Sequence, residues 1–206
     1  SDFFAKEHYY VFRNASESSS DRFDYYGGIL GHSTGRNSNY LFENSQAYFH
    51  ANQYPEAVSQ NGVDLSSGNF AMTDIGSYMI LRVQVNGANT GPYGNYRVGT
   101  IAEGNAYCVS SDIAEILAFE AVLALDDRAK LEGYLAHKWG LDGVLPTGHA
   151  YKASPEPSWL PTNVMPALWL DASDAPTIET VPHWQDRSGS NRHATAFGSP
   201  TLVAGA

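Results

Sequence analysis

Two carboxylates five positions apart, Glu115 and Glu120, are the first residues of the chain that could do chemistry together. Cleaving a glycosidic bond takes an acid and a second carboxylate flanking the bond at a fixed separation. Residues five apart on a regular strand point to opposite faces, and the intermediate position sharing the face of Glu115 is Leu117. An edge carboxylate and a loop carboxylate are expected instead, and the chain is expected not to be an enzyme.

A second acidic set, Asp171, Asp174 and Asp186 with Ser173 nearby, has the short oxygen-bearing side chains that a hard cation such as Ca²⁺ collects. The competing reading is that these side chains cap their own backbone in Asx turns. The seven histidines follow no HExxH or comparable metal spacing,. For a neutral polar ligand such as a glycan, flat aromatic faces and nearby amides are the relevant chemistry. Tyr40, Tyr48, His50, Asn52 and Tyr54 supply that mixture, and Tyr9, Tyr10, Tyr25 and Tyr26 form another aromatic set. Alternation along a strand sends about half of each set to the core. Cys108 is the single cysteine, so no internal disulfide is available and a buried inert thiol is expected.

The elements that must position these groups are mostly strands. The 206 residues include 13 Tyr, nine Phe and 19 Gly, with only 17% charged residues, the balance of a turn-rich β protein. Twelve Lys and Arg against 22 Asp and Glu give a net charge of −10, which argues against a nucleic-acid partner, since a phosphate-binding surface needs the opposite sign. No apolar run reaches membrane-spanning length, so no membrane insertion is expected. A chain opening on Ser1 rather than Met is expected to be a processed product or a piece of a longer protein.

Strands are predicted at His8–Arg13, between Phe23 and His32, at Tyr40–Glu43 and Gln46–His50 around an Asn44-Ser45 turn, at Tyr78–Val85 and at Tyr96–Ile101,. Asn61-Gly62 is a type I′ turn signal. In Tyr78–Val85, Met79, Leu81, Val83 and Val85 share one face; in Asp112–Glu120, Ile113, Glu115, Leu117 and Phe119 do,. Leu131, Tyr134, Leu135 and Trp139 then form one helical stripe, predicting a short α-helix near 127–139 with Asp126 as N-cap and Gly140 at its C-terminal end. Pro155, Pro157 and Pro161 make 153–162 a stiff connector with neither helix nor ladder,. Further short strands are expected at Ala167–Leu170 and Val181–Asp186, and Trp139, Trp169 and Trp184 are expected to be core anchors.

The run DIAEILAFEAVLALDDRAKLEGYLAHKWGL with LPTGHAYK resembles the closing strand, helix and exit loop of laminin G-like, concanavalin A-like modules of bacterial surface proteins. NYLFENSQAYFHANQYPEAVSQNGVDL and GSYMILRVQVN are similar to the central strands of the same modules, so the likeness covers roughly residues 2–152. It implies an all-β fold, an antiparallel β-sandwich or jelly roll, with residues 1–152 as its body. ALWLDASD with HWQDRSGSNRHATA resembles the start of such a module, yet follows the end of one. Residues 163–206 are therefore expected to complete the sandwich in cis, or to dock on a neighbouring copy, or to mark a chain cut out of phase from a tandem array. The resemblance implies a non-catalytic, extracellular or cell-surface module for glycan binding or adhesion. The alternative is a structural subunit of a filament, fibre or virion assembled by C-terminal strand donation, with a glycoside hydrolase as the third reading.

Overall fold

The computed structural model describes residues 3–14, 26–32, 42–43, 55–66, 70–86, 96–99, 111–173 and 183–195. Its backbone is organised on β1 (Glu7–Asn14), whose sequence EHYYVFRN is dense in the aromatic and β-branched residues that suit a pleated surface,. β1 pairs antiparallel on one side with β7 (Met79–Gln84) and on the other with β9 (Ser111–Phe119). β5 (Ala57–Gln60) and β6 (Val63–Asp64) extend the sheet beyond β7, and β10 (Leu168–Asp171) pairs with β9 of the same chain at the opposite end. The result is a six-stranded antiparallel sheet in the order β10-β9-β1-β7-β5-β6.

Both faces of this sheet are covered, which is why β1 carries almost no exposed position. On one face Tyr10, Phe12, Met79, Leu81, Val83, Ile116 and Leu168 pack with Phe3, Ile29, Leu30 and Phe70. Two-stranded pieces accompany this side: β3 (Leu30–His32) pairs with β8 (Tyr96–Val98), and β11 (His183–Trp184) with β12 (Ala194–Thr195). β2 (Tyr26–Gly27) pairs with β4 (Phe42–Glu43). On the other face Tyr9, Val11, Ile80, Leu117, Phe119 and Trp169 pack under α1 (Leu125–Lys138) through Leu131, Leu135 and Ala136. The protein is thus all-β with a single α-helix among the described residues.

The alternation expected of β7 holds, Met79, Leu81, Val83 and Val85 lying in one core and Ile80 in the other. β9 departs from it. Val11 faces Glu115 but Phe12 faces Ile113, so Ala114 is an extra residue in the ladder, a β-bulge. Ile113 therefore joins Ile116 and Ala118 in the first core, while Ala114 joins Leu117 and Phe119 in the second. The Asn61-Gly62 turn is as expected, both residues having positive φ (53° and 77°) between β5 and β6,.

At the helix start the N-cap is Ala124, with no side-chain cap, and Asp126 and Asp127 lie in the first turn instead. There they face the positive end of the helix dipole. At the other end Gly140 adopts φ 68°, and the Leu141 amide donates to the Ala136 carbonyl at 2.6 Å, the 6→1 bond of a Schellman stop. The Pro-rich stretch ends in a 3-10 turn at Pro161–Val164. Its first residue is a proline already set to helical φ, so the connector is less irregular than its composition predicts.

Candidate functional site

The alternation of β9 that survives beyond the bulge aims Glu115 toward the helix face, beside Leu117. β10 runs antiparallel to it with Asp171 directly opposite Glu115, so two carboxylates stand on neighbouring strands of one face. Lys138, the last residue of α1, reaches between them. Its Nζ lies 2.8 Å from Glu115 Oε2 and 2.7 Å from Asp171 Oδ2. Both acidic side chains are 0% exposed and that of Lys138 is 17% exposed.

Indole N–H groups complete the shell of Glu115. Trp139 Nε1 donates to Oε2 at 2.5 Å and Trp169 Nε1 to Oε1 at 2.6 Å. Ser173 donates to Asp171 Oδ1 twice, from its backbone N–H at 2.9 Å and its hydroxyl at 2.7 Å. Arg187 donates to Oδ2 at 2.5 Å while its guanidinium lies over the Trp169 ring. The Lys138 ammonium is also within 6 Å of the Tyr134, Trp139 and Trp169 ring centres, the range of a cation–π contact.

Burial pushes the Glu115 carboxyl above its ordinary range; Lys138 opposes the shift and the Asp171 charge adds to it. Burial acts on Asp171 in the same direction, but hydrogen bonds from Lys138 and Ser173 outweigh it and hold that carboxyl below its usual value. One buried carboxyl is thus biased toward the neutral acid and its neighbour toward the anion. With both ionised, two acids face the two bases Lys138 and Arg187, a balance without which so much buried charge would be prohibitive.

Glu115 is not the edge carboxylate that the sequence led us to expect: β9 is an interior strand of the sheet and Glu115 is buried. Glu120 is exposed just beyond the end of β9, whereas Asp171 meets Glu115 through strand pairing 56 positions later in the chain. Lys138 was hidden for a different reason, since a lysine in the last turn of a helix is ordinary complementarity to the dipole. The nearest sequence signal is the alternation of Trp169 and Asp171 in ALWLD, which puts an indole and a carboxylate on one face,.

Asp171 and Asp186 are near one another, because Leu170 and Asp186 form a β-bridge. Asp186 is occupied by its own loop: it accepts the amides of Trp169, Ser188 and Arg192 at 2.9–3.0 Å and the Ser188 hydroxyl at 2.8 Å. A calcium ion requires carboxylate oxygens free for it, and those of Asp171 and Asp186 are met by donors of the chain itself. Asp174 lies outside the described residues, and among those described no group of three His, Cys, Asp or Glu is placed to hold a metal.

Tyr40, Tyr48, His50, Asn52 and Tyr54 also lie outside the described residues, as does Cys108. Tyr9 and Tyr10 are buried on opposite faces of β1. Of the tryptophans singled out, Trp139 and Trp169 belong to the core under the helix and Trp184 packs against the other one. His183 and His193 bring their rings to 5.5 Å. His193 Nδ1 accepts the Asp186 amide, however, which leaves the proton of the neutral ring on Nε2 and no lone pair there for a metal. Elsewhere on the helix face, Arg82 pairs with buried Glu7, and Glu132 takes Arg128 at 3.1 Å and His149 at 3.2 Å.

No helix among the described residues is long and apolar enough to cross a membrane. No family model, curated protein or solved structure matches the chain.

Proposed function

We propose that this chain is a non-catalytic, concanavalin A-like β-sandwich module, extracellular or on the cell surface, that binds glycans or serves adhesion within a larger protein. The observation that carries the non-catalytic part is the state of Glu115 and Asp171. They are the carboxylate pair brought together on the sheet, and both are fully buried under α1 with their oxygens taken by Lys138, Arg187, Ser173 and two indoles. A glycosidase needs such a pair open on both sides of a sugar. The negative net charge agrees with a neutral or cation-bridged partner better than with a polyanion.

The test is a glycan array probed with the intact chain, with and without Ca²⁺, alongside turnover assays on the glycans that bind. Saturable binding without turnover supports the proposal. Binding to none of the glycans would remove the glycan-binding arm, and turnover lost in Glu115→Gln would overturn the non-catalytic reading.

A second reading, a filament or fibre subunit that donates its C-terminal strand, is favoured by one observation. β10 is an end strand of the large sheet, fed by a Pro-rich connector, so the same edge of β9 could receive the strand of a neighbour. Assemblies that persist on dilution, and that fall apart when residues after Pro161 are deleted, support this reading. A monomer with an unchanged melting temperature after the same deletion would exclude it.

A further inference from the structure

Lys138, Asp171 and Glu115 hold an amine, a carboxyl carbon and a proton carrier within reach of one another, with both carboxylates out of solvent. An ammonium and a carboxylate do not condense in water, where both are stabilised as ions and water is the leaving group in vast excess. Fixed side by side in the fold the same pair is held at an effective concentration that no bimolecular encounter reaches, and with both carboxylates out of solvent hydration opposes neutralisation less. The pocket is walled by Tyr134, Trp139 and Trp169 around the ammonium, and both carboxylates are 0% exposed.

We propose that Lys138 and Asp171 join through an isopeptide bond, formed by the chain on itself with Glu115 as the catalytic proton carrier.

The ammonium first gives a proton to Asp171 Oδ2, 2.7 Å away, leaving a neutral amine beside a neutral acid. The amine nitrogen attacks Asp171 Cγ, and negative charge develops on Oδ1. That oxygen already accepts the Ser173 amide at 2.9 Å and hydroxyl at 2.7 Å, the arrangement of an oxyanion hole. A second nitrogen proton passes to Glu115 Oε2, 2.8 Å from Nζ, and from Glu115 to Oδ2. The Cγ–Oδ2 bond breaks and Oδ2 leaves as water. Nitrogen has lost two protons and oxygen has gained them, one C–N bond replaces one C–O bond, and Glu115 ends as it began. No oxidant, cofactor or external nucleophile is consumed.

Glu115 suits the carrier role because its Oε2 lies 2.8 Å from Nζ and burial raises its carboxyl above its ordinary value, favouring uptake of the proton,. Arg187 works against the reaction, since it donates to the oxygen that must be protonated. The product would fasten the end of α1 to β10 and make the last strand of the large sheet a covalent part of its body. This is one intramolecular event rather than turnover of a substrate, so it stands or falls independently of glycan binding.

The experiment is intact mass spectrometry of the purified full chain, denatured after incubation at neutral pH, followed by proteolysis. The expected result is a mass lower than that of the sequence by one water, about 18 Da, and a branched peptide joining Lys138 to Asp171. Lys138→Met and Glu115→Gln are expected at their full sequence masses, and Arg187→Met is expected to complete the loss of water faster than the wild type. A wild-type chain at full mass overturns the proposal. So does a dehydrated mass that survives in Lys138→Met, because the water then left from elsewhere. Since the branched peptide is read from the wild-type chain, poor folding of a variant cannot rescue or sink the assignment.

Discussion

His8 makes the fold sensitive to acid by an amount that can be worked out. It lies on β1 between Val83 and Ala118, its cross-strand partners on either side, and is 0% exposed. Its Nδ1 is 2.9 Å from the Tyr10 hydroxyl, a contact that suits a neutral ring. Burial lowers its pKa from 6.5 to about 3. The folded-state value is the depressed one, so the unfolded chain takes up the proton first as pH falls. The stability contributed by neutral His8 is therefore whole above about pH 6.5 and is lost progressively as pH drops toward 3,. Between pH 7.5 and 5 the loss amounts to about 2 kcal/mol, and over the full interval to about 5 kcal/mol, at 1.36 kcal/mol per pH unit.

The assay is denaturant unfolding followed by tryptophan fluorescence, on the wild type and His8→Leu, at several pH values between 7.5 and 5. His8→Leu removes the 2.9 Å contact of the Tyr10 hydroxyl and is expected to be about 0.5–1.5 kcal/mol less stable at pH 7.5. Its stability should fall with acid by about 2 kcal/mol less than that of the wild type. Asp171, whose folded carboxyl titrates below its ordinary range, also loses stability as pH falls through its folded value, but equally in both proteins. Parallel pH profiles for the two would refute the assignment of a neutral, buried His8.

Three further outcomes follow from close approaches and filled acceptors. A Cβ placed on Gly133 would stand 2.4 Å from Tyr151 Cβ, so Gly133→Ala is expected to lower stability by about 1–3 kcal/mol, whereas Gly143→Ala, with no described residue within 4 Å of its Cβ, should change the melting temperature little. Gly62→Ala combines φ 77° with a Cβ 3.2 Å from the His149 ring; about 1–2 kcal/mol should be lost, and Gly99→Ala, also at positive φ but with no described residue within 4 Å of its Cβ, should lose less in the same thermal scan. Asp186→Ala removes the acceptor of three backbone amides, so hydrogen exchange should accelerate at Trp169, Ser188 and Arg192 while the amides of β1 and β7 keep their protection.

Where sequence and structure agree, the signal is local. Alternation over YMILRVQV places β7 correctly, Asn61-Gly62 specifies the turn between β5 and β6, and the stripe ending at Trp139 finds the helix and its glycine stop. The bulge at Ala114 was invisible because IAEILAF alternates equally well in either register; the pairing with β1, not β9 alone, inserts the extra residue. Asp126 was the natural cap by residue type, yet the helix begins two residues earlier from Ala124, and the acids are used for the dipole instead. The carboxylate cluster could not be seen from spacing at all. It is assembled from β9, the end of α1, β10 and the segment at Arg187, and only tertiary pairing puts those four pieces in one place.

The order of the large sheet has a consequence for how the chain is made. β1, its central strand, is also its first, and its partners β7 and β9 come much later in the sequence. At about 5–20 residues per second, the ribosome takes roughly 5–20 s to pass from β1 to the end of β9. Until β7, the first of those partners, has been made, HYYVF, a segment of strong strand character, stands ready to associate with the same segment of a neighbouring nascent chain. Non-local pairing of this kind also folds slowly after release. A chaperone that shields residues 7–14 during synthesis should therefore raise the yield of native protein more than one that acts on the finished chain.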